Sequence, residues 1–158
     1  MPFWRRGPDA APETSPDPDP IAIFETDGVV EGLLSWQERR LSDSLNAGEA
    51  LRVRVTRPGR ESPEWEELDR DRIIAVAAPP RPEPSASRMA RRRHEVELHA
   101  GPYRFSGVAH MPAGADPDRF VASTPQRWLP LTRCVVTSPD GEFEVEVLIV
   151  NLEQVSRR

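Results

Sequence analysis

From Ile21 onward, apolar side chains alternate with polar ones in short runs, and a turn former closes each run. Alternation with a period of two predicts half-buried β-strands. Ile21 and Ile23 open the first strand, Asp27-Gly28 supplies a hairpin turn, and Val29–Leu34 resumes as a strand with Gly32 inside it. A glycine at that point predicts a bulge or the sharp bend that a small barrel needs to close. Ser35 to Glu38 has the spacing of a capping box, and Leu41 and Leu45 fall on one helical face, so a short helix stopping near Gly48 is expected. Leu51, Val53 and Val55 then alternate with Arg52 and Arg54, Arg57-Pro58-Gly59 turns the chain, Trp65 and Leu68 mark a weaker strand, and Ile73–Val76 closes the series.

The same succession follows from His94. Val96 and Leu98 alternate, Gly101-Pro102 turns, and Tyr103, Phe105, Val108 and Ala109 form the next strand, with Gly107 standing 75 residues after Gly32. Asp116-Pro117 pairs a capping residue with proline at the first helical position. Trp128–Leu131 matches Ala50–Val53, and Pro130 predicts an edge strand or a bulge. After the Asp140-Gly141 turn, Phe143–Val147 alternates, Leu148–Val150 reads as buried on both faces, and Val150–Val155 matches Leu68–Ile73 at an offset of 82. A period of about 75–80 residues makes each series a folding unit. The expected organisation is all-β: a disordered tail over 1–20, a first β unit over 21–79, a Pro/Arg linker over 80–93 and a second β unit over 94–158. Units of this size lie near the lower limit for independent stability, so the two are expected to pack together.

Composition supports a small core with unstructured additions. Hydrophobic residues make up only 37% of the 158, and ten of the 18 prolines cluster at Pro2–Pro20 and Pro79–Pro84. Those tracts cannot bury enough surface to offset their ordering entropy. Phe3, Trp4, Arg5 and Arg6 form a candidate hook ahead of the tail. Every one of the 21 basic residues is arginine, as a high-GC coding sequence produces, and the net charge of −5 gives no overall attraction for nucleic acid. The single cysteine, Cys134, rules out an intrachain disulfide and a cysteine-based zinc site, and is expected as a buried small hydrophobe. No run approaches the roughly 18 apolar residues of a membrane span, and the first residues lack a secretory apolar region. A cytoplasmic protein is expected.

Gly32-Leu33-Leu34, then Arg40-Leu41-Ser42-Asp43-Ser44-Leu45-Asn46, then Leu51-x-Val53, with Asn151-Leu152-Glu153-Gln154-Val155 near the end, resembles the signature of an uncharacterised bacterial family of small β domains. The match is split: the first unit carries the central motif, the second the closing asparagine, and Asp69 and Phe120–Ser123 stand where those motifs would recur. The pattern is also similar to Sm-type and SH3-like small barrels, which implies two tandem barrels of that kind, each with one short helical turn. Asp43 and Asn46 are three apart where Sm proteins space them four apart, and the closing Arg-Gly pair is absent. The resemblance therefore implies the barrel more than RNA binding.

Candidate chemistry is sparse. His94, His99 and His110 show no metal-ligand spacing, and no nucleophile elbow or phosphate-cradling loop occurs. Asp43, Asn46 and Asn151 read as turn residues. Arg88, Arg91, Arg92 and Arg93 are the candidate anion or nucleic-acid contacts. The Arg88-x-x-x-Arg92 spacing ahead of a barrel is similar to the opening of PilZ domains, which implies cyclic-dinucleotide binding, although only part of their second motif is offered by Tyr103–Gly107. Trp36, Tyr103 and Trp128 are the candidate partner contacts. The functional expectation is a non-catalytic interaction or assembly module, with a protein partner or self-association and no cofactor or metal. The alternative is nucleic-acid or cyclic-dinucleotide binding through Arg88–Arg93.

Overall fold

The computed structural model describes residues 18–35, 39–80, 91–112 and 114–156. These form strands β1 (Asp19–Glu25), β2 (Gly28–Leu34), β3 (Arg52–Val55), β4 (Glu64–Glu67), β5 (Ile73–Ala77), β6 (Arg91–Ala100), β7 (Tyr103–Pro112), β8 (Trp128–Ser138) and β9 (Gly141–Asn151). Helix α1 (Leu41–Asn46) joins β2 to β3, α2 (Pro117–Ser123) joins β7 to β8, and a 3-10 turn, Leu152–Gln154, follows β9.

All-β architecture is as expected, but the two tandem barrels are not formed. Every strand belongs to one open antiparallel sheet in the order β4-β3-β2-β1-β5-β9-β8-β7-β6. The halves meet where β5 pairs with β9, through Ala75–Val150, Val76–Ile149 and Ala77–Leu148. All five residues of β5 are buried. An unpaired edge there would strand backbone donors and acceptors away from water, and β9 supplies the partners. The last three residues of the stretch expected as linker, Arg91–Arg93, already lie in β6.

Pairings in the two halves correspond. Leu33 faces Arg54 as Val108 faces Thr132, and Glu25 faces Ile73 as Ala100 bridges Val155. The Asp71 amide donates to the Asp69 carboxylate (3.1 Å) as the Glu153 amide donates to the Asn151 side-chain oxygen (3.1 Å).

The core is double, one cluster on each side of the shared sheet. Ile21, Ile23, Ile73, Val76 and Ile149 face a cluster with Leu41, Leu45, Leu51 and Val53, whereas Ala22, Phe24, Ile74, Ala75, Leu148 and Val150 face the cluster of the second half. Because successive strand residues point to opposite faces, both parities of β1 and β5 must be apolar. That is why Ile73–Val76 and Leu148–Val150 read as unbroken hydrophobic runs.

Local geometry follows the residues, with three departures. Asp116 caps α2, accepting from the amides of Asp118 (3.0 Å) and Arg119 (3.2 Å). Gly48 takes φ +73° just past α1, where the left-handed turn favours glycine. Gly32 instead meets a close approach: a Cβ there would lie 2.5 Å from Val55 Cγ1 and 2.6 Å from the Arg54 carbonyl oxygen. The capping box does not start α1, which begins at Leu41 after Arg40, while the Ser35 amide donates to the Arg52 carbonyl (3.1 Å) in a continuation of the sheet. Pro130 is not on an edge strand: β8 lies between β7 and β9. It is tolerated because the β7–β8 ladder ends at Leu131, which leaves one flank of residues 128–130 without a strand neighbour.

Candidate binding groove

The free flank of β8 is completed by a side chain. Asn46, at the end of α1, donates through Nδ2 to the Trp128 carbonyl (3.0 Å) and accepts at Oδ1 from the Trp128 amide (2.9 Å). Its amide thus imitates a neighbouring strand across 82 residues of sequence. Trp128 itself is fully buried in the first half's core. Asn151, also fully buried, donates to the carbonyls of Ile73 (2.9 Å) and Arg70 (3.3 Å). Arg127 Nη2 completes the junction on Asp71 (2.9 Å) and the Arg70 carbonyl (3.1 Å).

These contacts hold α1 over the first core, while α2 has no fully buried residue and rests on the second core through Phe120 and Val121. Between the two helices a groove of about 470 Å³ remains open. Its apolar lining comes from both halves: Ile21, Leu34 and Leu41 from one, Phe120, Pro130, Val147 and Ile149 from the other. Asp19, Arg39, Arg40, Asp43, His110 and Gln126 supply polar groups. Arg39 pairs with Glu49 and Arg40 with Asp43, both at 3.3 Å, so both rim arginines are held in ion pairs.

The residues singled out from sequence are dispersed. Trp36 and Arg88 lie outside the described residues. Tyr103 and Trp128 are interior, 4% and 0% exposed, so the contact surface expected of them is not available to a partner. Tyr103 stacks on Phe105 and meets Phe24 edge-on, and its hydroxyl donates to the Glu25 carbonyl (2.8 Å) across the halves. Burial, aided by nearby acidic charge, raises its phenol pKa. Arg91, Arg92 and Arg93 stand at the start of β6, an outer strand of the sheet, with Arg92 and Arg93 exposed. The nucleic-acid and cyclic-dinucleotide reading thus rests, among described side chains, on those two.

Elsewhere on the sheet Arg57 bridges Glu25 and Glu66, and Arg60 binds Glu64. Those carboxylate bonds, with that to Glu66 foremost, raise the Arg57 pKa. Cys134 is fully buried and its thiol is pushed up to about 12 by desolvation. Among the described residues no cluster of three or more His, Cys, Asp or Glu side chains is arranged to hold a metal ion. Nor is any described helix long and apolar enough to cross a membrane. Sequence reasoning missed the groove itself. Its walls come from positions more than a hundred residues apart, and Asn46, which ties them together, reads in sequence only as a turn residue. Comparison with protein-family models, with curated proteins and with solved structures finds no match.

Proposed function

We propose that this chain is a non-catalytic interaction module, built from a duplicated β unit, that seats a segment of a partner protein in the groove between its halves. The observation that carries this reading is the groove's construction. It offers an apolar lining shared by both halves, rimmed by a few polar side chains, and its volume falls in the range of about 300–1,000 Å³ usual for ligand sites. The corresponding strand pairings support the duplication, and fusion of two units explains why a groove forms at their junction. A peptide placed here would bury apolar side chains on Val147, Ile149 and Phe120 while its backbone reached the rim.

Random displayed peptides selected on the intact chain test the proposal. Val147→Arg places a long cation on the groove lining at a half-buried position. Enriched peptides are expected to bind the wild type at least about tenfold more tightly than this variant, a difference of about 1.4 kcal/mol. Peptides that bind both proteins equally, or an absence of enrichment, would count against the groove.

A further inference from the structure

We propose that the outer face of β6, β7 and β8 carries an oxyanion site, formed by Arg93, His110, Thr132 and Arg133, that reads an acidic or phosphorylated side chain on the partner segment. The apolar half of this inference rests on the groove reading; the oxyanion site stands on its own geometry. A second cavity, about 420 Å³, is lined by Arg93, Glu95, Val108, His110, Thr132 and Arg133. The ladders assemble it: Arg93 lies opposite His110, Glu95 opposite Val108, and Val108 opposite Thr132. Thr132 Oγ1 is 3.5 Å from His110 Nε2.

Arg93 and Arg133 are both exposed, and neither makes an ion pair with a described residue. Two guanidinium groups therefore face one carboxylate, Glu95, in the lining. Guanidinium forks match carboxylate and phosphate oxygens two at a time.

The backbone marks the same place. Arg133 has φ +50°, the one non-glycine residue in the left-handed region among those described. That conformation costs roughly 1–2 kcal/mol for an L-residue. It falls where Arg133 and Cys134 of β8 stand opposite Gly107 alone, a bulge of the type that redirects a side chain. The bulge holds this angle in place, and strain of this kind clusters at binding sites.

The cavity and the groove have His110 and Thr132 in common, so they form one continuous surface. A segment lying along it would place an oxyanion at Arg93 and Arg133 and its apolar neighbours on Val147 and Phe120.

Short peptides with degenerate flanks and a fixed central glutamate, phosphoserine or serine, titrated against the full chain by fluorescence anisotropy, test this. At least one oxyanion centre is expected to bind about tenfold or more tightly than serine, the size of one or two charge-assisted hydrogen bonds. The Arg93→Gln/Arg133→Gly double variant is expected to erase that preference while melting no lower than the wild type, because glycine accepts the backbone angle. Phe120→Ser, at a residue that lines the groove but not the cavity, is expected to keep the oxyanion preference and weaken selection for apolar flanks. Equal binding of the serine peptides, or an undiminished preference in the folded double variant, overturns the oxyanion site. An oxyanion preference with no selection at the flanks overturns the groove reading and leaves the site intact.

Discussion

At the scale of single residues, two glycines in corresponding positions do different work. A methyl group on Gly32 would run into the Arg54 carbonyl oxygen, which is fixed in the β2–β3 ladder, whereas one on Gly107 would meet Cys134 and Leu131 at 3.3 Å. Gly32→Ala is therefore expected to cost about 2–3 kcal/mol as an overpacked site, and Gly107→Ala about 1 kcal/mol or less, in urea unfolding of the two variants. Equal losses would show that the close approach at Gly32 relaxes freely. Both glycines mark special positions, but the bulge expected at Gly32 occurs at Gly107, while the ladders run through Gly32 in regular register and a close approach explains it. Arg133 was not legible: its backbone angle comes from the extra residue in β8, and nothing in Leu131–Cys134 separates it from an ordinary strand.

At the scale of elements, most strands could be read from alternation, because a strand's burial is local and repeats every second residue. The pairing of β5 with β9 could not, since a run buried on both faces reports that it is covered without saying by what. The same limit explains Tyr103 and Trp128. An aromatic side chain on a strand reads in sequence as open to a partner, and here the opposite half covers both. Asn46 is the element-scale device that sequence reading reduced to a turn residue. Its side chain replaces a strand beside Trp128, so Asn46→Ala is expected to destabilise the chain by about 1–2 kcal/mol, the loss of two hydrogen bonds at a partly hydrated site. Hydrogen exchange at the Trp128 amide should accelerate by more than that of the amides paired between β8 and β9. Uniform acceleration across β8 would mean that Asn46 acts only through global stability.

At the scale of the whole molecule, the halves are joined by more than their connection. Phe24 from the first half packs among Tyr103, Phe105 and Phe143 of the second, and Trp128 from the second completes the core of the first. Residues 18–80 and 91–158, produced separately, are expected to lack cooperative unfolding and to recover it when mixed. Two halves that each melt cooperatively alone, at the temperature of the intact chain, would show that the exchanged aromatics contribute little. The repeat expected from sequence implies that two units pack, and it is at this scale that the expectation of separate barrels fails. Short sequence units carry no signal for whether a terminal strand closes on its own unit or continues into the next.

With a core on either side, β1, β5 and β9 behave as a bulkhead between two compartments. A side chain enlarged on one side pushes the wall toward the other, so volume changes in the two compartments are transmitted through a common backbone and their effects on stability need not sum.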